Sequence, residues 1–449
     1  MISIIPFLLT FIVILWKMMK KPTGFPPGPI KWPVLGNIPQ LKLGNKLPHQ
    51  VIGKLALEYG DIMGFFIGSS PVVVLTEIES IREALTIPIL QGRPINQSHK
   101  MGMKKLGPDY TKPVSVDQLL IASGTNIIHT MLTGKQFQLR EEKLKDLVQV
   151  VRGLTTLFNA TGGLTGSMPF LVKLFPSVTE LPKLLNYRKW MQTFFMEAIK
   201  EHKQELDESN PSDIIDYFLS EMKKSDAHPS FHLEQLLCLM GDLVIAGSDT
   251  TSGTLSFGVL YMVLNPCVQA KVQKELDEVI GGKRLPSLDD KIQLPYTEAT
   301  LNEIYRMSSI APLSLPHAVL NAANDVKFRG YVIPKNSRVL LNIRGLHMNE
   351  KYWGDPENFR PERFLIDSGA VRSDEALLPF GLGKRICIGE ALARNNIFLT
   401  FAALMQNFNI TIPEGDPTPR TEDMAGGLVV HPNPFKVIMT PRSPLDKDH

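Results

Sequence analysis

Apolar residues fill Met1 to Trp16 except at Ser3 and Thr10, and Lys17, Lys20 and Lys21 follow. Carried to Met19 as a helix, the run is about 28 Å long, close to the thickness of a bilayer core. Its positive charges come after the apolar run, and no small-x-small cleavage site follows. A retained signal anchor is therefore predicted, with the body of the chain in the cytoplasm. Val51 to Tyr59 reads as a short helix. Ile62 to Ile67 and Val72 to Leu75 are apolar runs joined by Gly68-Ser69-Ser70-Pro71, a hairpin signal, and Ile78 to Leu85 returns to helix. Leu184 to Leu206 predicts a long amphipathic helix and Pro211 to Met222 another, set off by polar turns. His232 to Leu264 is apolar on nearly all faces, which predicts a central buried helix. Asn265-Pro266 caps the next helix, which runs to Ile280 and stops at Gly281-Gly282. Glu298 to Met307 is helical again, and Val326 to Ile333 with Arg338 to Ile343 is expected to form a hairpin about Pro334-Lys335-Asn336. Periodicity alone gives a mainly α chain with a small β region (α+β).

Composition narrows the class. A chain of 449 residues, 43% hydrophobic and 21% charged, is an ordinary globular protein able to bury a large core. A net charge of +3 argues against dedicated nucleic-acid binding. Three cysteines, Cys238, Cys267 and Cys387, are too few and scattered for a disulfide framework or zinc cluster, which suits a reducing compartment. Between the anchor and the body lies Phe25-Pro26-Pro27-Gly28-Pro29-Ile30-Lys31-Trp32-Pro33, a stiff extended connector. The expected organisation is an anchor over 1–19, a hinge over 20–36 and one catalytic domain over 37–449.

The chemistry concentrates at Pro379-Phe380-Gly381-Leu382-Gly383-Lys384-Arg385-Ile386-Cys387-Ile388-Gly389. Cys387 ligates a metal only as thiolate, and Gly389 to Arg394 reads as the first turns of a helix whose free N–H groups favour that charge. Gly381 and Gly383 permit a tight turn and close approach to a flat ligand. Arg385 is a fixed cation suited to a carboxylate. The bland alternative is a structural cysteine in a glycine-rich turn. In the central helix, Ala246-Gly247-Ser248-Asp249-Thr250-Thr251 sets two small residues beside an acid and a threonine. Thr250 can bond back to a carbonyl one turn earlier, and a buried acid is costly enough that a function is worth proposing. Glu303 and Arg306 share one helix face.

Phe-x-x-Gly-x-Arg-x-Cys-x-Gly, matched at Phe380, Gly383, Arg385, Cys387 and Gly389, resembles the haem-thiolate signature of the cytochrome P-450 monooxygenases. The proline-rich hinge, the Ala246–Thr251 groove, Glu303-x-x-Arg306 and the Arg363 segment resemble further motifs of its microsomal members. The resemblance implies the cytochrome P-450 fold, with heme b held between the central helix and the Cys387 loop. By that match Cys387 is the axial ligand, while Arg385 and His317 reach its propionates. Phe380, Gly383, Gly389, Ala246 and Gly247 shape its pocket. Thr250 hydrogen-bonds dioxygen, Asp249 feeds protons for O–O cleavage, and Glu303, Arg306 and Arg363 form a structural network. One family element is missing: a helix carrying Trp-x-x-x-Arg, expected after Gly92-Arg93-Pro94. Residues four after Trp16, Trp32, Trp190 and Trp353 are Lys20, Gly36, Phe194 and Glu357. Several dozen residues near 94–116 are expected to be absent.

The expected activity is insertion of one oxygen atom into a lipophilic small molecule, by hydroxylation or epoxidation. Dioxygen is the oxidant, and NADPH is used indirectly through NADPH-cytochrome P-450 reductase, since no flavin or nicotinamide domain fits in this chain. The expected location is the endoplasmic reticulum membrane, where Asn96-Gln97-Ser98, Asn159-Ala160-Thr161 and Asn409-Ile410-Thr411 are silent as glycosylation sites. The rival expectation is a catalytically impaired, membrane-bound haem or interaction protein, because a haem-contacting helix is missing.

Overall fold

The computed structural model describes residues 19–41, 47–87, 113–139, 141–157, 180–208, 210–282, 284–319 and 324–442. The expected anchor (except its last residue) and most of the stretch near 94–116 lie outside them. Among the described residues, no single helix is long and apolar enough to cross a membrane.

Helices α1 (Ile38–Leu41) and α2 (Pro48–Tyr59) precede strands β1 (Ile62–Ile67) and β2 (Ser70–Leu75), and α3 (Ile78–Thr86) follows. After β3 (Val114–Ser115) come α4 (Val116–Thr133), α5 (Glu142–Leu157), α6 (Leu181–Glu205), α7 (Ile214–Met222) and the 32-residue α8 (Leu233–Leu264). Next are α9 (Pro266–Val279), α10 (Pro295–Ser308), β4 (His317–Ala318), β5 (Val326–Phe328), β6 (Tyr331–Ile333) and β7 (Arg338–Leu341). The short helices α11 (Ile343–His347) and α12 (Glu350–Trp353) lead to α13 (Glu390–Asn407). The chain closes with β8 (Phe408–Thr411), β9 (Met424–Gly426), β10 (Val430–Pro432) and β11 (Lys436–Pro441).

Helix boundaries follow local chemistry. α7 starts at Ile214, later than expected, because the Asp213 carboxylate accepts from the Asp216 backbone N–H at 3.0 Å and caps it. α8 ends at Asn265, whose amide donates to the Tyr261 carbonyl at 2.9 Å; Pro266 opens α9 at an angle of 108° to α8. α8 is buried along most of its length, as its all-round apolar sequence predicts. Phe257, Leu260 and Tyr261 pack with Ile304 of α10 and Phe398 and Phe401 of α13. Its first half packs with Leu147 and Val151 of α5, Phe195 of α6 and Phe218 of α7.

The sheets depart from expectation in one respect. β1 and β2 form the predicted hairpin, with Ile67 opposite Ser70 and Gly68 in the left-handed region at φ 60°. The second expected hairpin is corrected. Val326–Phe328 turns at Arg329-Gly330 and pairs with Tyr331–Ile333, whereas Arg338–Leu341 runs parallel to β2 and antiparallel to β4. Its burial explains the choice: Val339, Leu340 and Leu341 are each 1% exposed, and only the centre of a four-stranded sheet covers both their faces.

The proline-rich stretch is not a free connector. The Gly64 N–H donates to the Pro27 carbonyl at 2.7 Å, the Lys21 ammonium donates to the Gly28 carbonyl at 2.8 Å, and Phe25 packs on Phe66 with ring centroids 5.1 Å apart. A Cβ on Gly28 would lie 2.1 Å from the Gly64 carbonyl oxygen. Gly28→Ala is therefore expected to lower the urea midpoint, by a cost on the order of 1–3 kcal/mol, with the m-value unchanged. A midpoint equal to wild type would show that the stretch is undocked in solution.

Candidate active site

The Cys387 loop is shaped by backbone bonds. The Gly381 N–H donates to the Leu378 carbonyl at 3.2 Å, the Cys387 N–H to the Phe380 carbonyl at 2.9 Å, and the Glu390 N–H to the Cys387 carbonyl at 3.2 Å, opening α13. Gly381 and Gly383 hold φ of 77° and 72°, where a side chain is strained. Gly383 also meets the end of α3: a Cβ there would lie 2.6 Å from the Leu85 carbonyl oxygen. Phe380 is clamped rather than free, with the Arg394 guanidinium 4.6 Å from its ring centroid and the Tyr305 ring edge-on at 5.6 Å. Gly389 is the residue just before α13, and a Cβ on it would sit 3.9 Å from Cys387 Sγ.

Cys387 and Arg385 are both exposed. Beside the thiol, Ile388 is 95% and Ile386 45% exposed, an unusual display of large apolar side chains. Desolvation pushes the thiol up, the Gly389 backbone N–H opposes it, and the Glu390 carboxylate adds to the rise, for a net upward shift. The helix start alone thus does not produce the expected thiolate; a bound metal cation would.

Across the core, the buried stretch of α8 from Val244 to Val263 opens at one turn. Val244, Ile245, Ser248, Asp249 and the residues from Thr251 to Val263 are buried, while Ala246 is exposed and Gly247 and Thr250 are half-buried. Thr250 Oγ1 donates to the Ala246 carbonyl at 2.6 Å, the expected back-bond. Gly247 is reassigned: a Cβ there would lie 2.7 Å from Ile128 Cδ1, so its smallness admits α4 rather than a planar ligand. α8 and α13 pack through Gly258, where a Cβ would touch Phe401 at 3.5 Å. No hydrogen bond joins Thr250 to Cys387 among the described residues. An exposed thiol flanked by apolar side chains, and one opening on a buried helix, fit a flat apolar metal complex such as haem. His317 lies on β4, 2% exposed.

Asp249 is fully buried, and His431 Nε2 of β10 is 3.0 Å from its Oδ2. Sequence reasoning missed this partner, 182 residues away. The available signal was position: His431 directly follows Gly426-Gly427-Leu428-Val429-Val430, a glycine-led apolar stretch.

The expected ion network is present and complete. Arg306 donates from Nε to Glu303 Oε2 at 2.7 Å and from Nη2 to Oε1 at 2.9 Å. Arg363 Nε reaches Glu303 Oε1 at 3.0 Å, and the Arg360 N–H reaches it at 2.9 Å. Remaining guanidinium donors go to the carbonyls of His347, Pro356, Trp353, Asp355 and Asn358. His347, also unforeseen, carries the network onward: its Nδ1 lies 2.9 Å from Ser309 Oγ, and its Nε2 accepts the Leu378 N–H at 3.0 Å. Ser309 Oγ donates to the Arg306 carbonyl, so His347 is the neutral Nδ1–H form. Leu378 immediately precedes the Cys387 loop.

Comparison with known proteins shows the family. The family profile described as Cytochrome P450 matches residues 26–100 and 93–439. The chain is 34% identical over 488 residues to farnesoate epoxidase of Bombyx mori, covering 97% of this chain and 98% of the relative. It is 34% identical over 505 residues to cytochrome P450 2U1 of Homo sapiens, covering 95% and 91%. Cytochrome P450 2B4 of Oryctolagus cuniculus is 32% identical over 476 residues, covering 94% and 96%. Since 97% of 449 residues is about 436, about 52 of the 488 aligned positions to the first relative face no residue of this chain. With such relatives, an impaired haem or interaction protein is not the favoured reading.

The network generates two predictions. Glu303→Gln leaves two buried guanidinium groups without their shared carboxylate and is expected to cost roughly 3–5 kcal/mol in denaturant unfolding; a cost below ~1 kcal/mol would contradict the network's role. Burial, followed by the Arg306 and Arg344 charges, holds the His347 pKa down at about 3. The unfolded imidazole, near 6.5, takes up its proton first, so this stability is present above about 6.5 and lost as pH falls toward 3. Between pH 6.5 and 5 the loss is roughly 2 kcal/mol. His347→Gln should flatten the slope of unfolding free energy against pH in that window, and an unchanged slope would contradict the assignment. The fold, the matched motifs and the relatives agree: this chain belongs to the cytochrome P450 family of haem-thiolate monooxygenases.

Proposed function

We propose that this chain inserts one atom of dioxygen into a lipophilic small molecule, by hydroxylation or epoxidation, with electrons that a reductase draws from NADPH. The observation that carries the reading is the opening at Ala246 and Thr250 in the otherwise buried Val244–Val263 stretch of α8, in a fold whose Cys387 thiol stands exposed at the head of α13. Haem bound there supplies electron transfer to dioxygen, one atom entering the substrate and the other leaving as water.

The chain's own residues do the rest. Cys387 holds the group in place, with its sulfur beside the N–H of Gly389. Arg385 and His317 would hold its propionates. Thr250 spends its hydroxyl proton on the Ala246 carbonyl and keeps its oxygen lone pairs toward the opening, where they accept a hydrogen bond and orient the reacting oxygen. Asp249, the next side chain on the helix, holds and hands over protons. Exposed Ala246 gives a flat ligand access to the helix backbone.

The Trp-x-x-x-Arg donor has no counterpart in the sequence, so propionate anchoring rests on Arg385 and His317. The break of the family match at 93–100 and the roughly 52 unfaced positions support an internal shortfall near 94–116. The apolar Met1–Trp16 run and the lysines after it support anchoring in the endoplasmic reticulum membrane over 1–19, with the 20–36 hinge and the 37–449 catalytic domain in the cytoplasm. One relative is named farnesoate epoxidase, which places unsaturated terpenoids first in a substrate panel.

Reductase-supported turnover of the full chain on such a panel is expected to yield an oxygenated product. In Thr250→Ala, electron consumption should persist while product per electron falls on the order of tenfold and hydrogen peroxide rises. Haem-loaded, reducible protein that oxygenates nothing in a broad apolar panel would overturn the reading.

A further inference from the structure

The acid of the Asp249–Thr250 pair has a partner supplied by a distant element. Asp249 is 1% exposed at its side chain, and a carboxylate so placed must be paired. The pairing group is His431, 18% exposed, with Nε2 3.0 Å from Asp249 Oδ2. The contact is built into the fold. One turn beyond Asp249, Gly253 leaves the slot that the imidazole fills: a Cβ there would lie 2.8 Å from His431 Nδ1, 2.9 Å from Cε1 and 2.7 Å from Ile310 Cδ1. The strand bearing the ring is pinned beside α8 by the Val430 N–H, which donates to the Ile310 carbonyl at 2.9 Å. It is closed by Gly426, where a Cβ would lie 2.1 Å from the Val429 carbonyl oxygen.

The pair has an unused atom at each end. Asp249 Oδ1 and His431 Nδ1 are buried and have no hydrogen-bond partner among the described residues. One atom of each group is thus committed to the other, and one remains free to take or release a proton.

We propose that His431 is a proton-relaying and positioning residue that loads Asp249 for oxygen activation. The inference rests on the monooxygenase reading above. The neutral ring donates Nε2–H to the carboxylate. When water enters beside the part-exposed ring, Nδ1, which has no partner among the described residues, takes a proton from it, the Nε2 proton passes to Oδ2, and the ring is left neutral with its proton on Nδ1. The carboxylic acid then gives one proton to the reduced oxygen and returns to carboxylate. A tautomer exchange through solvent, which moves no net proton, resets the ring. Each cycle carries one proton, and the electrons come from the reductase.

The charges facing the imidazole are Asp249 on α8, Asp117 on α4 and Arg152 on α5, the last two paired with each other. Burial pulls the imidazole down, the Asp249 carboxylate raises it by charge and by hydrogen bond, Asp117 adds, Arg152 opposes, and the net shift is upward. Proton supply is therefore expected to fail as pH rises through a value above the ordinary histidine pKa.

The test uses the full chain in its ferrous–carbon monoxide form, with isotope-labelled histidine followed by NMR against pH. The His431 resonance, identified by its loss in His431→Gln, should titrate above about 6.5 and move down in Asp249→Asn. In turnover, His431→Gln keeps a hydrogen-bond donor for Asp249 but carries no charge. It should retain the wild-type carbon monoxide spectrum, lose product per electron roughly tenfold, and lose the pH dependence of that ratio between about pH 6 and pH 9. A His431 midpoint indifferent to Asp249→Asn, or wild-type coupling in His431→Gln across that range, overturns the relay while leaving the monooxygenase reading intact. Absence of a thiolate-type spectrum in wild type instead overturns that reading and the relay with it. Should His431→Gln fail to fold, a histidine resonance that titrates above about 6.5 in wild type and moves down in Asp249→Asn supports the relay, and the absence of any such resonance overturns it.

Discussion

A carboxylate removed from water must have its lone pairs satisfied, and Glu303 is the one on which this molecule turns. It is 0% exposed and accepts from Arg306, from Arg363 and from the backbone of Arg360. Two guanidinium groups face one carboxylate, so their remaining donors fall on backbone carbonyls from His347 to Asn358, and Asp355 supplies a further negative charge. The arginines hold the Asp355 carboxyl well below its usual range, Arg360 foremost. Such a network gains little over an apolar core of the same volume, yet it specifies one arrangement of the loops around it.

That arrangement reaches the chemistry through a single imidazole. His347 offers its carbonyl to Arg306 and its bare Nε2 to the Leu378 N–H, two residues before Phe380. The loop that presents Cys387 is thus tied to α10 by hydrogen bonds from behind and by Phe380, Tyr305 and Arg394 from the side. A ligand loop that carries exposed isoleucines and a free thiol would otherwise have little to order it. On the facing helix the same economy holds: from Val244 to Val263 packing closes α8 except at the turn containing Ala246 and Thr250.

Much of this is legible from residue order because the chemistry is local. Cys387 with its glycines and arginine lies within one turn, and Glu303 and Arg306 are one helical turn apart. The apolar run His232–Leu264 announces a central helix because no amphipathic helix could hide all its faces. What escapes is non-local. β7 chose a parallel partner in β2, more than two hundred residues earlier, over the adjacent hairpin, since its side chains need cover on both faces. His347 and His431 sit in unremarkable local text and acquire their roles from Leu378 and Asp249. The docking of the proline-rich stretch escapes for a related reason: prolines fix φ but say nothing of carbonyls, and the Pro27 carbonyl pairs with β1.

The central claim is that the residues present form a haem-thiolate site without the Trp-x-x-x-Arg helix. The ferrous–carbon monoxide difference spectrum of purified, haem-supplemented full-length protein tests it most directly. A strongly red-shifted Soret band, lost in Cys387→Ala, is the predicted result. Absence of haem, or a band of the neutral-thiol or histidine type, would contradict it.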